Sequence, residues 1–366
     1  ADMELLQEAV LSVRRLGGFP SRTALADADG KLSEVLTRLR APGGATSAAE
    51  VSSLLRQRAQ VRLASGSEGD ALRDLDDALE ICRGSFKQSA VQFEEMPQVH
   101  IARAEIYARQ ARLELAVRDL DAAAELLGEP LEDIELVRDR GRVRKRLGRN
   151  ADAAEDFGAA AELLRRVGRR PEAEIEAELQ AVALLAAGQV EAAEQGLVDV
   201  IRRCVGLLSE DVALLQRVVI ADSDARLLMA AIAWHSGREE IAETYWRDGC
   251  DRIDILKDEA GTKRQVVGYP FGDVYGCVRY TNSSWLTIER LWPESAVGWL
   301  QEFLSNRPAK PPRDSYVQDL MVGRRPGDGS TLVDLAIATD VFRRANPVED
   351  LQANMERSGM LDSRVF

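Results

Sequence analysis

Histidine is nearly missing from this chain. Among 366 residues there are two, His100 and His235, far apart and with no serine or cysteine nucleophile motif beside either. Catalysis needs titratable groups held together at useful spacing, so the scarcity argues against an enzyme and for a chain that works by contact. Cysteine is scarce as well: Cys82, Cys204, Cys250 and Cys277 form no CxxC or zinc-type spacing, which excludes a disulfide framework and a zinc module. Their isolation among mostly apolar neighbours reads as buried free thiols, with one bridge still open to an oxidising compartment. No run approaches eighteen apolar residues, so no membrane-spanning helix is expected. The net charge of −13 leaves no overall basic footprint for nucleic acid. The stretch GRRPGDGST at 323–331 lacks the lysine that a phosphate loop needs before its hydroxyl residue. It reads as a solvated turn, and no cofactor is called for.

What the chain does have is recurrence. From Arg58 to Ile81 small and apolar residues fall at the spacing of a packed helix pair, marked by Ala59, Gly66, Ala71, Leu75 and Ala78. The template returns four more times. Its reference position is filled by Ala104, Gly141, Ala181 and Ala230, followed seven residues on by Ala111, Gly148, Gly188 and Gly237. Next come Ala116, Ala153, Ala193 and Ala242, then the large Leu120, Phe157, Leu197 and Trp246, then Ala123, Ala160, Val200 and Gly249. Two antiparallel helices approach closely only where a small side chain faces the partner, and a large neighbour fills the space beside it. A small residue at the reversal permits a tight turn.

This pattern resembles the tetratricopeptide repeat family over residues 51–252. The resemblance implies an all-α, right-handed α-solenoid of about five helix-turn-helix units that binds proteins. Successive reference residues lie 45, 37, 40 and 49 apart, longer than the family's usual period. Insertions are therefore expected at 82–97 and 204–223, the second helical, with Ser209 as its cap. Ahead of the repeats, residues 1–50 read as a capping pair of helices over 4–16 and 31–39, closed by the loop at 41–47.

The family's geometry puts Arg138, Arg142, Lys145 and Arg146 of the third unit on the inner, partner-facing surface. Four cations on one helical face fit a carboxylate-rich tail of a partner, or else they balance acids on neighbouring helices. Elsewhere that surface reads as apolar: Ile101 and Ala108, Val182 and Leu185, then Leu227 and Trp234. Trp234 beside His235 makes a candidate partner anchor, or is packed under the region that follows.

Every tryptophan lies after residue 233. Residues 253–366 read as a C-terminal cap and docking region. Short helices are expected over 285–291 and, opened by Pro293, to about Leu304, with an extended linker near 307–314 and further helices at 331–344 and 348–357. Trp292, Trp299 and Phe303 suit a cap over the last repeat; Tyr269, Phe271 and Tyr275 in a loop are candidates for docking on a partner. The run GDVYGCVRYTNSSWLTIERLWPESAVGWLQEFL, with Trp285, Arg290, Trp292, Pro293 and Phe303, resembles the tail of plastid tetratricopeptide proteins of the thylakoid lumen. That resemblance implies a plastid protein, delivered to the thylakoid lumen, that works with a photosynthetic membrane complex as assembly factor or peripheral subunit. A first residue Ala1 in place of methionine is what a mature product freed of a targeting segment, or a trimmed chain, would show. Two alternatives stand beside it: a soluble co-chaperone or regulator that binds an acidic peptide tail, and a structural subunit of a mitochondrial complex.

Overall fold

The computed structural model describes residues 2–14, 20–40, 47–85, 94–128, 131–208, 215–261 and 277–307. Among these residues every regular element is helical. In chain order they are α1 (Asp2–Arg14), α2 (Arg22–Leu39), α3 (Ala48–Ala64), α4 (Glu68–Gly84), α5 (Met96–Arg109), α6 (Leu113–Leu127) and α7 (Ile134–Arg146). Then come α8 (Asn150–Arg166), α9 (Arg170–Ala186), α10 (Val190–Leu208), α11 (Leu215–His235), α12 (Glu239–Gly261), a 3-10 turn (Cys277–Thr281), α13 (Ser283–Ile288) and α14 (Glu294–Asn306). The chain forms two compact units that divide after Arg149.

The architecture is that of tetratricopeptide-like helical hairpins, and the small residues are its reason. In the first unit Ala104, Ala116 and Ala123 share one core with Leu120 and Leu136. Ala59, Ala71, Leu75 and Ala78 share another with Leu25, Leu32 and Leu36 of α2, so the leading helices cover the first hairpin. In the second unit Ala181, Ala193, Leu197 and Val200 lie in one core with Ala230, Ala242 and Trp246. Each such leucine contributes about 1.5–3 kcal/mol by leaving water.

The turns are equally uniform. Gly66, Gly148, Gly168, Gly188 and Gly237 all have positive φ, and so does Ala111 at 56°. At each, two backbone bonds close the helix end, as in Arg149 N to Arg144 O at 2.9 Å and Gly148 N to Lys145 O at 3.1 Å. This is the Schellman arrangement, in which the left-handed residue lets the last carbonyls find donors. Gly168 repeats it between α8 and α9, a reversal that the repeat template leaves unmarked.

Three expectations change. Helix α2 starts at Arg22, well before residue 31, because Ser21 accepts a hydrogen bond from the Ala24 N–H at 3.1 Å and caps it there. Of the apolar stretch at 204–223, residues 204–208 end α10 and residues 215–223 open α11, so most of the extra length lies in these two long rods. Ser209 lies outside the described residues. The cysteines are not all free thiols, since Cys250 and Cys277 are bonded while Cys82 and Cys204 are buried and free. The helices expected at 331–344 and 348–357, the linker and the turn at 323–331 lie outside the described residues.

Candidate interaction surface

In the first unit arginines pair with acids both within hairpins and between them. Arg58 Nε donates to Asp74 at 2.9 Å, and Arg62 Nη1 reaches the same carboxylate at 2.9 Å. In the next hairpin Arg103 Nε donates to Asp119 at 2.8 Å, and His100 Nδ1 lies 2.7 Å from the other oxygen. Burial alone would raise the Asp119 pKa, but the bonds from Arg103 and His100 outweigh it and hold the carboxyl below its ordinary value. Both pairs join an arginine to an aspartate sixteen positions on. This signal was open to reading and marks a tie across a hairpin, so His100 serves structure.

Three of the four cations of α7 are engaged nearby. Arg138 Nη1 pairs with Glu135 at 3.1 Å, Arg142 Nη1 with Asp139 at 3.5 Å, and Arg146 Nη1 donates to the Ala108 carbonyl at 3.3 Å. Burial lowers the pKa of Lys145. Acids one turn away on the same helix thus neutralise two of the four.

In the second unit the 3-10 turn, α13 and α14 form a clasp on α9 and α11. Trp234 meets Phe303 edge to face with centroids 5.7 Å apart, and Phe303 also meets Trp246 at 5.8 Å. Trp299 stacks on His235 at 3.9 Å. The two residues expected to anchor a partner are therefore occupied by the chain itself. Val182, Leu185 and Leu227, expected on an open apolar surface, are buried in a core that includes Trp292, Leu300 and Phe303. Tyr269, Phe271 and Tyr275 lie outside the described residues.

Beneath the clasp runs a seam of buried charge. Arg290 donates to Asp224 of α11 and lies 3.4 Å from Glu178 of α9, and the Tyr280 hydroxyl also donates to Asp224. Burial raises the Glu178 pKa and Arg290 opposes it. Further along α11, Asp222 accepts from Arg226 at 3.1 Å and pairs with Arg252 at 3.0 Å. Asp248 lies 3.4 Å from Arg226, and its pKa is pushed up to about 6, mainly by burial. A buried pair of this kind offers little net stability but is costly to break, because its partner stays behind as an uncompensated charge. Through Arg290 and Tyr280 the seam ties the clasp to α9 and α11.

A second polar feature sits between α8, α9 and α10. There a pocket of 300 Å³ is lined by Arg165, Arg170, Glu174, Arg203, Gly206 and Leu207. Glu174 is 2% exposed and holds two of the arginines, Arg165 Nη2 at 3.2 Å and Arg203 Nε at 2.7 Å.

No family model matches this chain, and no curated protein does. Among solved structures, nearly identical TPR-like repeats assigned to a kinesin light chain of Podosopora anserina align at 16% identity over 54% of this chain and 93% of that one, with a TM-score of 0.43. A tetratricopeptide repeat protein of Parabacteroides merdae aligns at 15% identity over 83% of this chain and 99% of that one, with a TM-score of 0.41. Likeness this weak decides nothing by itself. The fold rests on the hairpins, their turns and their small-residue contacts.

Proposed function

We propose that the protein is a non-catalytic scaffold for protein–protein interaction, working in a plastid as an assembly factor or peripheral subunit of a photosynthetic membrane complex such as a photosystem. The observation that carries the scaffold reading is the use made of ionisable residues. Asp74, Asp119, Asp222, Asp224 and Glu178 are all buried against arginines that tie one helix to the next. Groups so committed serve rigidity, and within each unit hairpins tied in this way present helix faces to a partner at fixed spacing.

The plastid setting is supported by the tail motif. Its residues act as one device in this chain: Arg290 forms the ion pairs, Trp292 and Phe303 are buried, and Pro293 caps α14. No helix among the described residues is long and apolar enough to cross a membrane, so attachment to a membrane complex would run through protein contacts. The test is fractionation of plastids followed by crosslinking of the native chain. Recovery on thylakoid membranes, crosslinked to a subunit of a photosynthetic complex, is the expected result. Recovery wholly in another compartment would overturn the setting and leave the scaffold reading in place.

A further inference from the structure

The pocket between α8, α9 and α10 has a charge opposite to that of the protein that carries it. Three arginines and one glutamate line it, a sum of +2 in a chain of net charge −13. The glutamate is the buried one. Glu174 accepts from Arg165 through Nε and Nη2, at 3.3 and 3.2 Å, and from Arg203 through Nε at 2.7 Å. A carboxylate behind the wall thus orients two guanidinium groups, which lowers the conformational entropy an incoming ligand must remove.

Arg203 uses only Nε for this purpose. Its two terminal amino groups have no partner among the described residues, and its side chain is 39% exposed. That leaves the planar fork that recognises an oxyanion through two parallel hydrogen bonds. Arg170, on the first turn of α9, adds a third positive group at the rim. The N-cap of that helix is Arg169, which makes no side-chain capping bond, so the positive end of the α9 dipole adds to the field at the pocket mouth. Glu172 on the same turn lies 3.6 Å from Arg169 and offsets part of this charge. Glu162, one turn before Arg165 on α8, lies 3.8 Å from it and offsets a further part.

We infer that this pocket is a binding site for a doubly charged oxyanion presented on a partner polypeptide, either a phosphorylated side chain or a pair of adjacent carboxylates. The inference deepens the scaffold reading by giving the partner a chemistry. The anion affinity itself does not depend on the plastid setting.

The test is calorimetric titration of the full chain with inorganic phosphate, a phosphoserine peptide and a glutamate-rich peptide. The variants are Arg203→Lys, Arg170→Glu and, as a control, Arg142→Glu on α7, each first checked for an unchanged thermal unfolding curve. At least one peptide should bind, and salt should weaken it as expected of a partly exposed charged contact. Arg170→Glu should weaken it roughly tenfold, Arg203→Lys severalfold through loss of the fork, and Arg142→Glu not at all. Phosphopeptide binding with competition by phosphate assigns a phosphate ester; binding of the glutamate-rich peptide alone assigns paired carboxylates. Phosphate binding with neither peptide, no binding by any probe, or binding that Arg170→Glu and Arg203→Lys leave unchanged would overturn the site. Peptide binding through Arg203 in a chain that fails to fractionate with membranes would keep the site and remove only the setting.

Discussion

Trp299 lies flat on His235, with ring centroids 3.9 Å apart and planes within 9° of each other. A residue from α14 thus covers the last turn of α11, and Phe303 one turn further on fills the space between Trp234 and Trp246. Phe303→Ala should cost about 3–5 kcal/mol by leaving a cavity under the clasp. Denaturant unfolding of the two proteins measures it. A loss under 1 kcal/mol would mean the clasp is not packed as described.

The Cys250–Cys277 bond joins α12 to the 3-10 turn across 27 positions. Closing a loop of that length restricts the unfolded chain by roughly 3–4 kcal/mol in the chain-entropy account. Reduction by a dithiol, or Cys277→Ala, should lower the melting temperature and speed proteolytic release of the residues after 277. An unchanged digestion pattern would show that packing and Arg290 alone retain the clasp.

Two helical glycines should respond in opposite directions to alanine. A Cβ on Gly249 would sit 2.9 Å from Leu227 Cγ and 3.3 Å from Arg226 Cβ, both buried in α11. Overpacking there should cost about 1–3 kcal/mol. At Gly196 the added methyl would meet only Ala181 Cβ, at 3.6 Å. That is ordinary contact, and the gain in helix propensity should stabilise by up to about 1 kcal/mol. Equal effects in thermal unfolding would remove the close-approach argument.

Ala111 occupies the turn position that glycine fills in the equivalent turns, with φ of 56°. A Cβ in the left-handed region costs roughly 1–2 kcal/mol. Ala111→Gly should therefore raise stability by about 1 kcal/mol despite the added freedom of the unfolded chain. A lower midpoint in urea would contradict this.

Asp248 sets a pH dependence. Its folded pKa of about 6 lies above the ordinary aspartate value near 3.9, so the native state binds its proton more tightly than the unfolded chain does. That contribution is fully present below about pH 4 and is lost as pH rises through about 6. Asp248→Asn should flatten the corresponding part of the curve, with a change on the order of 1–3 kcal/mol relative to the native protein between pH 4 and 7. Parallel stability curves for the two proteins would show that Asp248 titrates normally.

The helical hairpins were legible because steric need repeats at fixed spacing. Ala71, Ala116, Ala153, Ala193 and Ala242 are small for one reason, and all five are buried. The clasp was legible only as a cluster of aromatics. That Trp299 chooses His235 and Arg290 chooses Asp224 depends on contacts across dozens of residues, which no local period encodes. The cysteine pair was hidden likewise, since Cys250 and Cys277 have no motif between them. The pocket eluded the sequence because Arg165, Arg170 and Arg203 come from three helices. The run on α7 drew attention because its cations are adjacent, yet adjacency also supplied Glu135 and Asp139 to neutralise two of them.

Gly148, Gly168 and Gly188 stand twenty residues apart and close their turns with the same bonds. A rod and its reversal thus form an interchangeable segment, and the reversals before and after α8 are chemically alike. Excising forty residues would return the chain in phase, with the first and second rods of each hairpin still alternating. Excising twenty would swap those roles for everything downstream.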